Sequence, residues 1–346
     1  MLKLKELFSK SSKVKTNLSV GLDIGNSSIK VVQLRTIPST QEKELIKFDI
    51  CPFKSRDKKG ITDAIKSSFG CAQITTNIVQ TSVSGQSVIV RYIQMPRMSK
   101  VELANALKLG LGKYIPFNVN EVNYDFQILD TANKADKMMR VLLVAVKKEV
   151  VQERIDVLKE AGLIPIVIDV DSFAIVNSFQ LVSQENKGII AVLDIGADVT
   201  STTILVDNIP HFNRDVLIGG NHLTKAIIQE YDMSIQEADD LKHNPQTRYG
   251  DLIAAIRPVL DLLANEMHLS FNYCESQLGG SVRKIFLTGG TAKFKGIDKV
   301  LNSILGVDVE IWDPTRILKI NEALPKDRLM DVGPLLTVAV GLALRG

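Results

Sequence analysis

Two stretches of the chain repeat one plan, which is an apolar run, Asp-Ile-Gly, a small polar turn and a second apolar run. The first copy is VGLDIGNSSIKVVQL at residues 20–34, and the second is IIAVLDIGADVTSTTILVDN at residues 189–208. Apolar runs on both sides of a short glycine-containing turn are typical of β-hairpins. A plan that recurs this far along a chain indicates internal duplication. The sequence therefore predicts two similar lobes, each built around one Asp-Ile-Gly turn.

Length and composition fit this prediction and exclude several classes of protein. The chain has 346 residues, of which 45% are hydrophobic, and a net charge of only +3, which gives no indication of nucleic-acid binding. Its three cysteines form no CxxC pair and lie near no histidine with zinc-like spacing, so we expect a reducing compartment and no structural metal. The longest apolar runs are shorter than the roughly 20 residues of a membrane helix. We therefore expect a soluble, cytoplasmic protein.

The basic N-terminal segment, residues 1–16, mixes leucines with five lysines. It has neither the apolar stretch nor the small-residue cleavage site of a signal peptide. Two interpretations stay open, which are contact with an anionic membrane surface and a short solvated or docking helix.

Between the two copies, the pattern predicts an α+β unit inserted into the first lobe. Its predicted strands are 87–95, 120–129 and 138–146, its predicted helices are 99–115 and 147–162, and the strand 164–170 returns to the lobe. Ser99 and Glu102 form a capping box, and Gly162 is placed to end the second helix. Because glycine is a poor helix former, Gly110 and Gly112 predict that the first helix ends early or packs closely.

After the second copy, residues 249–277 carry apolar side chains at helical spacing. Pro258 lies inside this run and predicts a helix start or a kink there, because proline cannot complete the hydrogen-bond ladder.

The first polar turn has the chemistry of a phosphate cradle. Gly25 allows consecutive backbone N–H groups to converge, and Asn26, Ser27 and Ser28 add donors. Lys30 can place a positive charge beside phosphates. A plain structural turn is the alternative, since each motif alone is common.

The carboxylates that precede the two turns point to a metal ion. Asp23 and Asp194 would repel a polyphosphate unless a cation lay between them, and Mg²⁺ held through water fits this role. In the third element, Gly289 and Gly290 follow a predicted strand that ends at Thr288, and they let a base or phosphate approach the backbone.

The order of these elements resembles the fold of actin, hexokinase and the heat-shock chaperone ATPases. The resemblance implies an α/β protein with two duplicated lobes around a cleft that holds ATP and Mg²⁺, and an inserted α+β subdomain in the FtsA-like arrangement. The implied divisions are the basic segment 1–16, a first lobe of 17–85 and 166–187, the inserted subdomain 86–165, a second lobe of 188–222 and 281–346, and a helical subdomain 223–280.

The resemblance also assigns site residues. Asp23 and Asp194 would hold the metal, and Asp171 and Asp194 would act in hydrolysis, although Asp171 could instead be a helix N-cap. The residues implied in nucleotide binding are Gly25, Asn26, Ser27, Ser28, Lys30, Gly196, Ala197, Thr200, Gly219, Gly220, Lys225, Asp239, Lys242, Gly289, Gly290 and Thr291. Asp239 occupies the place where many relatives carry a ribose-binding Glu.

Several longer stretches are similar to the PilM family of type IV pilus assembly proteins. They are VIVRYIQMP, ELANAL, KYIPF, NYDFQIL, DVDSFAIVNSF, RPVLDLLANEMHLSFNY and the final VGPLLTVAVGLALRG. This resemblance implies a cytoplasmic ATP-binding scaffold, peripheral at the inner membrane, with slow or absent hydrolysis. It would capture the N-terminal tail of PilN, with motor ATPases and self-association as further contacts and with mainly indirect membrane association.

We expect the tail to lie in a groove between the inserted subdomain and the first lobe. The residues predicted for that groove are Arg91, Tyr92, Met95, Pro96 and Tyr114, with core packing as the alternative for Tyr92 and Met95. Two other functions stay open. An FtsA-like division filament would need a membrane helix that is not evident at the end of this sequence, and a small-molecule kinase would need an acceptor motif that we do not find.

Overall fold

The computed structural model describes residues 17–129, 137–180, 188–244 and 248–345, so the basic segment 1–16 lies outside the described residues. The strands are β1 Leu18–Ile24, β2 Ser28–Thr36, β3 Lys43–Pro52, β4 Ile78–Val83, β5 Val88–Pro96, β6 Val122–Ile128, β7 Met138–Lys147, β8 Ile164–Val170, β9 Ile189–Ile195, β10 Thr200–Val206, β11 Ile209–Val216, β12 Lys284–Thr288, β13 Asp308–Ile311 and β14 Lys319–Ile320. The helices are α1 Lys58–Cys71, α2 Lys100–Gly110, α3 Lys148–Glu160, α4 Asp171–Gln180, α5 Gly220–Tyr231, α6 Ile235–His243, α7 Tyr249–Leu278, α8 Ile297–Leu305, α9 Lys326–Val332 and α10 Thr337–Ala343.

Two sheets share one strand order, which confirms the predicted duplication. The first sheet runs β14-β3-β2-β1-β4-β8 and the second runs β11-β10-β9-β12-β13. In each, an antiparallel meander of three strands continues into parallel strands beside its first strand. The two Asp-Ile-Gly turns therefore occupy equivalent positions, between the first and second strands of each lobe.

Both faces of the first sheet are covered. Val20, Leu22 and Val31 pack on one face with residues of α1 and with Leu158 of α3. On the other face, Val32 packs with residues of α10. Strands buried on both faces are almost continuously apolar, as the sequences of β1 and β2 are.

Helix α10 lies so close to β1 and α4 that each contact has one position where only glycine fits. A Cβ atom at Gly21 would collide with the backbone of Ala339, and one at Gly341 would collide with the backbone of Ala174. Buried apolar residues of α10, including Val338 and Leu342, also pack with α4 and with Phe286 of the second sheet. The helix thus belongs to the cores of both sheets.

The C-terminal part of the chain differs from the predicted division. Residues 281–346 were assigned to the second lobe, but β14 pairs in parallel with β3 of the first sheet. Asn321 donates to Glu44 at 3.0 Å beside this pairing. The assignment of 281–346 to one lobe is therefore wrong for β14 and for the face of α10 that covers β1 and β2.

The inserted unit is a three-stranded antiparallel sheet in the order β5-β7-β6. Leu103 and Leu107 of α2 cover one face through Val141 and Leu143. Leu142, Val144 and Val146 point from the opposite face toward β4 and β8 of the first lobe. Helix α3, which was predicted within this unit, also packs on the first lobe through Leu158.

Local signals were accurate in this region. The capping box of Ser99 and Glu102 is present, and β8 spans the predicted residues 164–170. Helix α2 ends early, at Gly110, which was one of the two expectations for its glycines. Gly162 follows α3 with a φ of 80°. Of the two alternatives for Pro258, the helix start is excluded, because α7 begins at Tyr249 and continues through the proline.

Among the described residues, no helix has both the length and the apolar character needed to cross a membrane.

Candidate functional site

The two Asp-Ile-Gly turns line opposite sides of one cavity of about 200 Å³ between the lobes, which we call the central cavity. Twelve predicted site residues line it, and they are Asp23, Gly25, Asn26, Ser27, Ser28, Lys30, Asp171, Asp194, Gly196, Ala197, Gly289 and Gly290. The fold thus brings together residues that lie far apart in the sequence, and most of them are small or polar.

In the first turn, the backbone N–H of Gly25 donates to the carbonyl of Ser28 at 3.2 Å and closes the hairpin. Asp23 and Lys30 face each other across β1 and β2, and the Lys30 ammonium lies 3.1 Å from the Asp23 carboxylate. Burial raises the pKa of Asp23, although Lys30 acts in the opposite direction. Lys30 is therefore engaged with Asp23 in this structure.

The second turn is held by the start of α5. The N–H of Gly196 donates to Val199 at 2.9 Å, and the N–H of Gly220 donates to Gly196 at 2.9 Å. The hydroxyl of Thr200 donates to the Ile218 carbonyl at 2.7 Å. Thr200, Gly219 and Gly220 do not line the cavity, and they support the turn that does.

Asp194 has the most altered carboxyl group at the site. Burial, reinforced by the negative charge of Asp23, raises its pKa to about 7. Gly289 lies against it with a φ of 88°, and a Cβ atom there would collide with the Asp194 carboxylate. Only glycine fits at this position, which explains part of the Thr-Gly-Gly-Thr motif.

Four other predicted residues lie away from the central cavity. Lys242 is buried, and its ammonium lies 2.6 Å from Asp239 and 2.8 Å from the Thr224 hydroxyl. Thr291 is buried and Lys225 is exposed. A nucleotide contact by any of these residues stays a prediction.

Three residues near the central cavity were not predicted from the sequence. Arg154 of α3 is half-buried, and desolvation lowers its pKa while Asp171 and Asp23 act in the opposite direction. Asp215 of β11 lines the cavity, and burial raises its pKa. Arg56 pairs with Asp198 at 3.1 Å and donates to Asn26 at 3.2 Å, so it bridges the two turns. No local motif marks these residues, because their roles arise from tertiary contacts.

The donor set fits Mg²⁺ only through water. Among residues 17–129, 137–180, 188–244 and 248–345, no three His, Cys, Asp or Glu side chains converge to hold a metal ion. Asp23 and Asp194 nevertheless present carboxylates to one cavity beside glycine-rich turns. Mg²⁺ keeps several waters and is bound by one or two carboxylates with phosphate oxygens, which matches this arrangement.

The residues predicted for a peptide groove do not form one surface. Met95 is buried in the core under α2, where Tyr114 also packs. Tyr92 points from the other face of β5 and packs beside Leu142 and Val144. Arg91 and Pro96 are exposed. Side chains alternate along a strand, so residues spaced as Tyr92 and Met95 are lie on opposite faces. The alternative of core packing is confirmed for both.

A different cavity lies between the inserted sheet and the first lobe, and we call it the apolar groove. Its volume is about 320 Å³. Its lining residues are Asp125, Phe126, Gln127, Ile128, Leu129, Leu142, Val144, Ile168, Asp169, Val170, Phe173, Val176, Asn177, Ile209, Pro210 and Arg345.

Polar groups at the apolar groove are few and specifically placed. Arg345 donates to Asp169 at 2.6 Å in a largely buried pair, and burial raises the pKa of Asp169 against the effect of Arg345. The side-chain nitrogen of Asn177 is buried and has no hydrogen-bond partner within the described part of the chain. An apolar groove with a small number of polar groups is typical of ligand sites.

Comparison with known families decides where this architecture belongs. The family model of the type IV pilus assembly protein PilM matches residues 21–346. The chain belongs to the PilM family. Its match spans both sheets, the inserted unit and both cavities.

Known relatives of this PilM-family chain agree with the fold. A solved PilM-PilN type IV pilus biogenesis complex has a chain 30% identical, covering 94% of this chain and 98% of that chain with a TM-score of 0.84. Cell division protein FtsA of Enterococcus hirae is 23% identical over 88% of this chain and 80% of its own length. MreB5 of Spiroplasma citri, solved bound to ADP, is 14% identical, with a TM-score of 0.50 over 94% of this chain and 95% of that chain.

Proposed function

We propose that this chain is a scaffold of a type IV pilus assembly platform that captures the N-terminal tail of a PilN-like protein. The observation that carries the proposal is the 0.84 TM-score to the PilM-PilN complex over nearly the whole chain. The apolar groove supports it, because a tail binds through a few apolar anchors and a preformed site.

The apolar groove replaces our predicted groove as the tail site. Both lie between the inserted subdomain and the first lobe, but Met95 is buried and cannot act as an anchor. Leu142 and Val144 on one wall and Phe173 and Val176 on the other offer apolar contacts. Asp169, Arg345 and Asn177 supply polar groups that can fix the position of the tail.

Calorimetric titration with the N-terminal peptide of a PilN-like protein from the same genome tests this proposal. We expect saturable binding by the unaltered protein. Ile209 lines the groove and is 42% exposed, and Ile235 on α6 is 66% exposed. Ile209→Glu should weaken binding about tenfold or more, and the matched control Ile235→Glu should leave it unchanged. Absence of binding in folded protein would overturn the proposal and favour the filament-forming alternative.

The central cavity, in the same proposal, binds ATP with Mg²⁺. Bound Mg²⁺ would offset the repulsion between phosphates and the carboxylates of Asp23 and Asp194. The backbone N–H groups of the two turns other than those of Gly25 and Gly196, which close the hairpins, would bind phosphate oxygens. Gly289 and Gly290 would let the nucleotide approach β12. The ADP-bound MreB5 of the same fold supports this assignment.

Hydrolysis is proposed to be slow or absent. Asp171 begins α4 and lines the central cavity, where it can orient a water molecule. The half-buried Arg154 interacts electrostatically with Asp171. Electrostatic attraction to this guanidinium competes with an attacking water for the Asp171 carboxylate, which disfavours rapid turnover.

Replacement of Asp194 tests the nucleotide assignment without requiring catalysis. Asp194→Asn keeps the shape of the side chain and removes its charge, so Mg²⁺-ATP should bind at least about tenfold more weakly. Asp63→Asn, at an exposed position of α1, is the matched control and should bind as the unaltered protein does. Equal affinities in the two variants would remove Asp194 from the site.

The proposed setting is cytoplasmic and peripheral at the inner membrane, with attachment mainly through the PilN-like partner. Pilus motor ATPases and further copies of this chain are proposed as additional contacts. Co-sedimentation with vesicles, with and without a membrane-anchored tail peptide, separates indirect from direct attachment.

A further inference from the structure

We propose that a pocket between the inserted sheet and the second lobe binds a small organic phosphate. We call it the lateral pocket, and its volume is about 520 Å³. One wall consists of residues 90–94 of β5 and Arg140 of β7, and the other consists of residues 211–213 of β11 and the C-terminal turns of α7. None of the residues that carry the argument lines the central cavity or the apolar groove, so the inference is independent of the proposed function.

The first observation is a buried hydroxyl group that lacks a hydrogen bond. The ring of Tyr92 packs beside Leu142 and Val144, and its oxygen is buried with no hydrogen-bond partner among the residues that the structure describes. Burial raises the pKa of Tyr92, so the hydroxyl keeps its proton at neutral pH and can donate it to an acceptor. A buried polar group of this kind is costly until a bound molecule completes its hydrogen bond.

The second observation is a guanidinium on the same face of the inserted sheet. Gln94 of β5 pairs with Arg140 of β7, so both residues lie on the face that carries Tyr92. The positive charge of Arg140 acts on Tyr92 by lowering its pKa against the effect of burial. Arg140 also contacts Nε2 of His211 at 2.8 Å, and it is the donor because arginine has no acceptor atom. This contact positions the guanidinium between β7 and β11.

The third observation is the charge of the lateral pocket. Arg91 and Arg140 contribute two positive charges, and among the described residues that line the pocket none is Asp or Glu. Guanidinium groups bind phosphate oxygens through parallel N–H donors. A phosphate monoester carries about −1.5 to −2 charges at neutral pH, whereas a carboxylate carries one. The balance of charge therefore favours a phosphate.

The fourth observation concerns the rest of the ligand, because a phosphate group alone would fill only part of the pocket. Phe212 and Tyr273 form an aromatic contact in the second wall, with ring centroids 5.4 Å apart. Tyr273 is 56% exposed, so its ring can stack on a flat group of the ligand. The ligand class is therefore a phosphate that carries a flat or apolar group.

In the bound state, the Tyr92 hydroxyl and the Arg140 guanidinium donate to phosphate oxygens, and the flat group lies against Tyr273. Arg140 belongs to the inserted sheet and Tyr273 belongs to α7, so the ligand joins the inserted subdomain to the second lobe.

Calorimetric titration of the full chain with phenyl phosphate tests the site. We expect saturable binding, and inorganic phosphate should bind at least about tenfold more weakly because it lacks the ring. Tyr92→Phe removes only the hydroxyl and should weaken phenyl phosphate about tenfold, since a hydrogen bond to a charged group is lost. Tyr124→Phe is the matched control on the other face of the same sheet, and it should bind as the unaltered protein does.

Arg140→Gln provides the second arm and should weaken phenyl phosphate about tenfold or more. Arg257→Gln, at an exposed position of α7 outside the lateral pocket, is its matched control and should leave binding unchanged. Melting curves verify that the variants fold. Without ligand, Tyr92→Phe should melt at the same temperature as the unaltered protein or higher, because it removes a hydroxyl that has no partner.

Four results would overturn the inference. They are absence of binding, binding that neither Tyr92→Phe nor Arg140→Gln weakens, equal affinity for phenyl phosphate and benzoate, and a lowered melting temperature of Tyr92→Phe without ligand. The second result would place the probe elsewhere on the protein, and the fourth would give the hydroxyl a purely structural role. None of these results bears on capture of the tail, so the proposed function is tested separately.

Discussion

At the scale of single residues, the central cavity is dominated by carboxyl groups whose ionisation is opposed by burial. Asp194 has a pKa of about 7, and burial also raises the pKa of Asp23 and of Asp215. Such groups are costly to ionise without a compensating cation. We therefore expect the central cavity to be more stable with a bound cation than without one.

Asp194→Asn should stabilise the unliganded protein at neutral and alkaline pH. The folded protein keeps the Asp194 proton between the ordinary pKa of 3.8 and about 7, where the unfolded chain has released it. Stability is therefore lost as the pH rises through this range. The difference between variant and unaltered protein should grow from near zero at about pH 4 to a few kcal/mol near pH 8. Urea denaturation at several pH values measures it.

The control for this experiment is Asp63→Asn, whose stability should follow that of the unaltered protein at every pH. A constant difference for Asp194→Asn across the range would contradict the raised pKa.

Lys30→Met should destabilise the fold at neutral pH, because it leaves the buried Asp23 carboxylate without its cation. The loss should be about 1–3 kcal/mol. It should shrink at acid pH, where Asp23 takes up a proton and no longer needs a partner. Thermal denaturation of Lys30→Met beside Lys66→Met, at an exposed position of α1, measures the effect; an equal loss at neutral and acid pH would argue against the pairing.

At the scale of elements, α10 is the helix whose packing against its neighbours tolerates the least change in side-chain size. Its backbone contacts β1 and α4 at two glycines, and its apolar residues enter the cores of both sheets. Close backbone contact leaves no room for a methyl group, and interiors of this density relax only slightly.

Gly341→Ala should destabilise the protein by about 1–3 kcal/mol or more, because the added Cβ collides with the backbone of Ala174. Gly250→Ala is the matched control within a helix, since open space surrounds that position. It should stabilise the protein by up to about 1 kcal/mol. Equal melting temperatures of the two variants would mean that α10 shifts without cost.

Elements with local signals were predictable, and long-range contacts were not. The two hairpins, the capping box of α2 and the bounds of β8 follow from patterns within a few residues of each other. The pairing of β14 with β3 joins segments as far apart as Glu44 and Asn321, and a two-residue strand has no pattern of its own. Arg154 and Asp215 were missed at the site because only tertiary structure brings them to the cavity. Tyr92 and Met95 were predicted to share one groove surface, but they lie on opposite faces of β5, and each packs against a different core.

At the scale of the whole molecule, the two cavities share one structural boundary. The junction of β8 and α4 separates them, and Val170 lines both. Asp169 and Phe173 lie on the side of the apolar groove, whereas Asp171 and Ser172 lie on the side of the central cavity. A shift of this junction changes both sites together.

We expect binding of the tail peptide and of Mg²⁺-ATP to be coupled through this junction. Each ligand should change the affinity of the other by the same factor, as linkage requires, within the usual range of about 5- to 150-fold. Val170→Ala should reduce the factor while both ligands still bind. Titration of each ligand in the absence and presence of the other measures this factor, and a factor of one in both directions would exclude coupling.

The packing of α10 against β1 also determines when the core of the first sheet can form during synthesis of the chain. At about 5–20 residues per second, the ribosome delivers Gly341 on the order of tens of seconds after Gly21. Throughout that interval, the face of the first sheet that carries Val32 and Leu34 lacks its cover. The strands β1 and β2 are therefore made long before the helix that covers them, and their apolar face stays exposed in the nascent chain until α10 is made.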